Sequence, residues 1–226
     1  PPNGRYPPPS EERIAARRGA PGGSEGFRRP PNDGTAYWLE AGLDAPGPYD
    51  NMEQRPYAER CLLSFGSTSG PPMLPALYNN HKRIVQGEDT VVILVEMIHD
   101  ARVVPIGDRP PLDEAIGLWS GSARGYWDGD TLVVETRNFN GLTKSFSAFG
   151  TSSDKVLTER FTRIDPITVN YEWTVEDPAT FTDKITAIVP MTKVAGELHE
   201  YACHEGNYAL PGILAGARRQ EHDEQR

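Results

Sequence analysis

Apolar residues are most concentrated in residues 90–104, with the sequence TVVILVEMIHDARVV. β-Branched residues favour strands, and a strand covered on both faces reads as a nearly continuous apolar run. The pattern therefore predicts a central β-strand over Thr90–Val104. The second half of this strand also carries four ionisable residues, which are costly to bury without partners. These residues are Glu96, His99, Asp100 and Arg102.

Strand patterns alternate with turn residues from residue 77 onward. Asp128-Gly129 is a strong signal for a two-residue hairpin. Residues 167–175 alternate apolar and polar side chains without exception, which predicts one buried face and one wet face. The other predicted strands cover residues 78–86, 116–126, 131–138, 156–164, 184–191 and 198–203.

The spacing of these strands predicts a mainly β domain over residues 76–209. About eight antiparallel strands without helical crossovers indicate a closed barrel or a sandwich. We favour an antiparallel up-and-down β-barrel, because successive hairpins form a meander whose edges must be closed or covered. A sandwich is the alternative.

The two ends of the chain have a different character. Residues 1–75 hold 14 of the 21 prolines, so this segment cannot form regular sheet or a long helix. It is predicted to be a Pro-rich arm that wraps the domain, with one short helix at Glu11–Arg18 capped by Ser10. Residues 210–226 are predicted to form a C-terminal helix and tail that begins at Pro211. Aromatic residues that favour packing of the arm are Tyr37, Trp38, Tyr49, Tyr57 and Phe65.

Charge and motif content narrow the class of partner. The formal net charge is -9 and the basic residues are scattered, so nothing favours nucleic acid or an anionic membrane. No apolar run reaches the ~18 residues of a membrane helix. The chain has no phosphate loop, no GxGxxG and no HExxH, so no cofactor and no metal are expected. The expected partner is a small molecule, and a homo-oligomer formed through the arm is a further expectation.

The chain has two cysteines, Cys61 and Cys203, and their spacing does not match a metal site. They form either a long-range disulfide or two separate buried thiols. A disulfide would close a loop of about 140 residues and stabilise the fold by ~4 kcal/mol. The first residue is Pro1 rather than Met, which fits removal of a signal peptide. We favour the disulfide, because export to the periplasm or beyond is also expected.

Several strings carry a resemblance to a known family. They include LYNNHKRIVQ at 77–86, VVILVEMIHDARVVPI at 91–106, GYWDGDTLVVETRNF at 125–139 and YACHEGNY at 201–208. Residues 60–218 resemble a family of exported bacterial proteins of unknown function. This resemblance implies export and a common β domain, but no activity. The GDTLVVET and TERFTRIDPIT strings are also similar to lipocalin-like barrels, which supports the fold by analogy.

Two segments carry residues suited to acid/base catalysis. An imidazole exchanges protons near neutral pH, and a neighbouring carboxylate can orient it. His99 with Asp100 or Glu96, and His204 with Glu205, supply two such pairs. Arg102 would stabilise developing negative charge. The alternative is structural, with Arg102 paired to a carboxylate of its own strand and the second pair capping a strand end.

A substrate pocket is expected beside these pairs. Aromatic side chains pack against flat ligands, and residues 78–81 add amides and an imidazole near a strand start. The alternative is that the aromatic residues are ordinary core and the charged residues form ion pairs on an outer face. The residues predicted to bind substrate are Glu96, Trp119, Arg124, Tyr126, Tyr201, Asn79 and His81.

The leading hypothesis is an exported small-molecule enzyme with a pocket inside the barrel. It would perform cofactor-free acid/base chemistry, as a lyase, isomerase or hydrolase, on an oxygenated compound, aromatic or not. One rival is a non-catalytic lipocalin-like binder of a small hydrophobic ligand. Another is a secreted scaffold whose arm embraces a partner chain.

Overall fold

The computed structural model describes residues 4–19, 49, 51–55, 57–64, 70–75, 78–140 and 151–226. The fold is mainly β, as predicted, and its strands form two antiparallel sheets. The first sheet has the order β1-β2-β3, with strands Lys82–Gln86, Thr90–Val95 and Ala101–Pro105. The second has the order β4-β5-β6-β7-β8, with strands Ser122–Asp128, Thr131–Arg137, Val156–Arg163, Thr168–Glu176 and Ile185–Thr192.

The strands of each sheet follow one another in chain order, as an up-and-down meander requires. An isolated bridge between Ile106 and Gly125 links the end of β3 to β4. Within the described part of the chain, no strand pairing closes the two sheets into the predicted barrel. The predicted hairpin at Asp128-Gly129 is confirmed, since Asp128 pairs with Thr131 and Gly129 takes a φ of 58°.

One hydrophobic core lies under both sheets. β2 contributes Val91, Ile93 and Val95, and the second sheet contributes buried residues such as Leu157 and Trp173. On β7, Tyr171, Trp173 and Val175 are buried while their neighbours are half-buried, which confirms the predicted alternation. The inner faces of the two sheets are therefore packed against each other's side chains.

The two predicted helices are confirmed, but the second begins at Ala209, two residues before its predicted start at Pro211. The first, α1, runs over Glu11–Gly19, and the Ser10 Oγ accepts a hydrogen bond from the Arg13 backbone N–H at 3.0 Å. The second, α2, runs over Ala209–Glu224 and has no buried residue. Short 3-10 turns occur at Met52–Gln54 and Met97–His99.

The described start of the arm lies against the turn between β7 and β8. The Thr182 backbone N–H donates to the Pro8 carbonyl at 3.0 Å, and the Ser10 N–H donates to the Thr180 carbonyl at 2.9 Å. Tyr6 stacks on Phe181 with 6.2 Å between ring centroids. Three aromatic residues that favoured packing of the arm lie outside the described residues, namely Tyr37, Trp38 and Phe65.

The predicted single strand over Thr90–Val104 is wrong. β2 ends at Val95 and β3 begins at Ala101, so the stretch is a hairpin. Its turn contains Ile98 at φ 65° and His99 at φ 56°, in the left-handed region. The turn was missed because Met97 and Ile98 continue the apolar strand pattern and the turn contains no Gly, Pro or Asn.

The predicted strand over Leu198–Cys203 is also wrong, since this segment has no strand partner among the described residues. Its alternation is strand-like, but the His199 N–H donates to a side chain instead of to a neighbouring strand. Two other predicted strands begin later than expected. β1 starts at Lys82 instead of residue 78, and β4 starts at Ser122 instead of residue 116.

Candidate functional site

The turn that splits the predicted central strand presents a buried carboxylate. Glu96 follows the last residue of β2 and is only 2% exposed. Its Oε2 lies 3.0 Å from the Nδ1 of His81, the residue just before β1. Its Oε1 accepts the His199 backbone N–H at 3.1 Å. The Asn79 side chain also lowers the pKa of this carboxylate. Three separate parts of the sequence therefore meet at one carboxylate.

The hydrogen bonds around Glu96 determine its charge. Burial acts to raise the pKa of the Glu96 carboxyl, but the hydrogen bond from His199, the charge and the backbone of His81, and the Asn79 side chain outweigh it. The net effect lowers the pKa of Glu96 below its ordinary value. Glu96 is consequently a carboxylate at neutral pH, and its negative charge faces the His81 ring.

His81 is held at one nitrogen and is otherwise open. Its side chain is 45% exposed, whereas that of Glu96 is 2% exposed. The Glu96 carboxylate can only accept, so the Nδ1 of His81 carries the proton in this contact. In the neutral ring Nε2 is then the basic nitrogen. No described residue forms a hydrogen bond with Nε2. A carboxylate, an oriented imidazole and a free basic nitrogen are the parts of an acid/base dyad.

The backbone around Glu96 makes two hydrogen bonds and has unusual dihedral angles. The Glu96 N–H donates to the His81 carbonyl at 3.0 Å, and the His99 N–H donates to the Glu96 carbonyl at 3.1 Å. Asn79, Ile98 and His99 all have positive φ. A β-branched residue such as Ile98 in this region is strained, and such strain is frequent at functional sites.

Two tyrosines lie close to the dyad in sequence and interact with each other. Tyr78 precedes Asn79, and Tyr201 lies two residues after His199. Burial and a hydrogen bond with the Tyr78 hydroxyl raise the pKa of Tyr201 to about 12. Tyr201 therefore stays protonated at neutral pH, and Tyr78 beside it is 48% exposed.

The predicted disulfide is confirmed. Cys61 and Cys203 are bonded, with an S–S distance of 2.04 Å. The bond ties the arm to the segment that carries His199 and Tyr201. The Asn207 side chain reinforces this connection, since its Nδ2 donates to the Glu59 carbonyl at 2.7 Å.

The structure places the predicted catalytic residues in different surroundings. His99, His204 and Glu205 are exposed, and no contact in the described part of the chain joins the two histidines. Asp100 accepts a hydrogen bond from the Ser120 hydroxyl at 3.3 Å. Arg102 turns into the core, where it is 5% exposed.

Arg102 belongs to a buried polar cluster that sequence reasoning missed. Its Nη1 donates to the Glu159 Oε1 at 3.0 Å, and its Nη2 donates to the Glu159 Oε2 and, at 3.4 Å, to the Thr136 Oγ1. The Tyr171 hydroxyl donates to the same Glu159 at 2.7 Å and accepts the Met73 N–H at 2.8 Å. The signal for this cluster is the position of Glu159 between Leu157 and Phe161 on the apolar face of β6.

The predicted substrate-binding residues divide into two sets. The structure brings Glu96, His81 and Asn79 together and sets Tyr201 beside them through Tyr78. The other three lie elsewhere. Trp119 packs edge-on against Tyr57, with centroids 5.1 Å apart. The Arg124 Nη1 donates to the Arg109 carbonyl at 2.6 Å, and Tyr126 is 53% exposed on the outer face of β4.

The sequence did not predict that Glu96 contacts His81 and the His199 backbone. Glu96 and His81 were identified in separate groups, and His199 was not identified at all. A backbone N–H leaves no composition signal, so His199 could be found only from the structure.

Neither a metal cluster nor a membrane helix occurs in the part of the chain that the structure describes. These residues contain no group of three or more His, Cys, Asp or Glu that could hold a metal ion. None of their helices is long and apolar enough to cross a membrane. Comparisons of the chain with protein-family models, curated proteins and solved structures found no match.

Proposed function

We propose that the chain is an exported small-molecule enzyme that performs cofactor-free acid/base chemistry with His81 as the proton carrier. The observation that supports this most strongly is the 3.0 Å contact between the His81 Nδ1 and the buried Glu96 carboxylate. The Glu96 carboxylate orients the His81 ring, and the His199 N–H in turn orients the carboxylate. We thus assign proton transfer to His81 instead of to His99 and His204.

The chemistry follows from the two nitrogens of the ring. The Nε2 of His81 removes a proton from a C–H or O–H group of the substrate, and the Glu96 carboxylate stabilises the imidazolium that forms. The same Nε2 returns the proton to another atom of the substrate or to a leaving group. Elimination and isomerisation both fit this sequence of steps.

The substrate class is set by what surrounds the dyad. The exposed Tyr78 hydroxyl can donate to a carbonyl or hydroxyl oxygen that gains negative charge. The exposed Tyr78 ring also offers a face to an aromatic substrate. The proposed substrate is thus a small oxygenated compound with an acidic C–H group next to a carbonyl, and with an aromatic ring as the favoured substituent.

Export is proposed on the disulfide, because disulfides form and persist in oxidising compartments outside the cytosol. The closed lipocalin-like barrel is likewise a proposal. The up-and-down strand order and the single core under both sheets support it. Nuclear Overhauser contacts between amide protons of β1 and β8 would test barrel closure directly.

Hydrogen exchange into candidate substrates tests the catalytic proposal whatever the final product of the reaction is. The chain is incubated in D2O with a panel of small aromatic ketones and hydroxy acids, and loss of C–H signals is followed by proton NMR. The expected exchange falls at least about a hundredfold in His81→Gln, which is the scale of general-base catalysis. His204→Gln is the matched control and should retain exchange. Equal exchange by wild type and His81→Gln would contradict the proposal.

A further inference from the structure

A cavity of about 310 Å³ lies between the arm and the C-terminal segment. Both cysteines, Cys61 and Cys203, line it, together with Ala58, Leu210 and Ile213. Its volume is at the small end of ligand pockets in proteins. A small molecule in this cavity would lie against the disulfide.

The two halves of the disulfide differ in exposure and in hydrogen bonding. Cys61 is buried, with 7% exposure, whereas Cys203 is half-buried. The Asn207 Nδ2 lies 3.6 Å from the Cys61 Sγ and donates to it. An N–H donor stabilises a thiolate, and the more stable thiolate leaves faster in thiol–disulfide exchange. Attack is therefore favoured at Cys203, with Cys61 as the leaving group.

We propose that this cavity is a thiol-exchange site, at which a small organic thiol forms a mixed disulfide with Cys203. The thiolate of the small molecule attacks the Cys203 Sγ, a new S–S bond forms, and the Cys61–Cys203 bond breaks. Cys61 departs as a thiolate that the Asn207 amide stabilises. A second small thiol can then attack the mixed disulfide. Its products are an oxidised dimer of the small thiol and a free Cys203 thiolate, so two thiols are oxidised as the protein disulfide is reduced.

Exchange at this site would also loosen the neighbouring dyad. Cys203 lies four residues after His199, whose N–H is bonded to Glu96. Once the covalent connection to Cys61 is lost, the His199 amide is expected to exchange with solvent faster. The exchange reaction itself does not require His81 to be catalytic.

The test uses the full chain under native conditions, with reduced glutathione as the probe. Samples are quenched with acid, free thiols are blocked with N-ethylmaleimide, and peptides are identified by mass spectrometry. The expected first product carries glutathione on Cys203 and N-ethylmaleimide on Cys61. Adducts on Cys61, or on both cysteines equally, would overturn the proposal.

Two variants separate site-directed exchange from exchange through unfolding. Asn207→Asp keeps the side-chain oxygen that accepts the Leu210 N–H but replaces the donor with a negative charge, so adduct formation should slow about threefold to tenfold. Gln220→Glu adds the same charge on an exposed part of α2 and should leave the rate unchanged. Ile213→Trp fills the cavity and should also slow the reaction. Unchanged rates in Asn207→Asp and Ile213→Trp, or a wild-type rate equal to the rate of global unfolding, would overturn it.

Discussion

Arg102 of β3 and Glu159 of β6 form an ion pair with two hydrogen bonds in the core, and this pair joins the two sheets. Both side chains are at most 5% exposed. Burial acts to lower the pKa of Arg102, but the charge of Glu159 and its hydrogen bonds with Arg102 raise that pKa above its ordinary value. The pair is buried between β3 of one sheet and β6 of the other, so its role is to fix the packing of one sheet on the other.

Removal of one partner should be more damaging than removal of both. We expect Arg102→Met to lower the free energy of unfolding by about 3–5 kcal/mol, because it leaves the Glu159 charge buried without its partner. The double variant Arg102→Met with Glu159→Leu should recover a large part of this loss. Urea unfolding followed by circular dichroism measures both. A loss below about 1 kcal/mol in the single variant would show that the pair is not needed for sheet packing.

The Tyr171 hydroxyl connects this pair to the arm, since it accepts the Met73 N–H. Tyr171→Phe should cost about 1–3 kcal/mol, because it removes one partner from Glu159 and one from a buried N–H. Hydrogen–deuterium exchange of the Met73 amide should become faster in this variant than in wild type. Unchanged protection of Met73 would mean that other contacts hold this part of the arm.

One of the two left-handed residues in the β2–β3 turn predicts a stabilising substitution. His99 is exposed and has a φ of 56°, which glycine adopts without steric cost. His99→Gly should therefore raise the free energy of unfolding by about 1 kcal/mol, which thermal or urea unfolding measures. His99→Ala is the control, since it removes the imidazole and keeps the strain. If both variants lose proton-transfer activity, His99 takes part in the chemistry, which would contradict the assignment of proton transfer to His81.

The lowered pKa of Glu96 predicts an acid limit to stability. A carboxyl whose folded pKa lies below its unfolded value stabilises the fold above the unfolded pKa, here near 4.5, and loses this contribution as the pH falls through the folded value. Glu96→Gln should thus be less stable than wild type at neutral pH, by about 1–3 kcal/mol. The difference should shrink below about pH 4.5. Urea unfolding between about pH 3 and 7 checks this, and a constant difference across the range would contradict it.

Local patterns in the sequence were sufficient to predict much of the fold. The Asp128-Gly129 hairpin, the alternation of β7 and the capped helix α1 each depend on neighbours in the chain, so the sequence alone predicts them. The turn at 96–100 was missed because its left-handed residues, Ile98 and His99, are not of the types that usually take this conformation.

The candidate site was predictable only in part. Glu96 and His81 have the right chemistry for acid/base catalysis, but the sequence predicted both only as substrate-binding residues. Their contact depends on the pairing of β1 with β2. This pairing places Lys82 opposite Val95, so His81, just before Lys82, lies opposite Glu96, just after Val95. The hydrogen bond from the His199 backbone N–H to Glu96 joins residues more than a hundred positions apart, and no local pattern encodes it.

The most direct test of the proposed dyad is the position of the proton on the neutral His81 ring, measured by long-range proton–nitrogen NMR correlation. The dyad predicts that Nδ1 carries the proton and Nε2 is free, because the Glu96 carboxylate accepts from Nδ1. In Glu96→Gln the proton should shift toward Nε2. A wild-type ring protonated at Nε2 would contradict the account, since the basic nitrogen would then face Glu96 instead of a substrate.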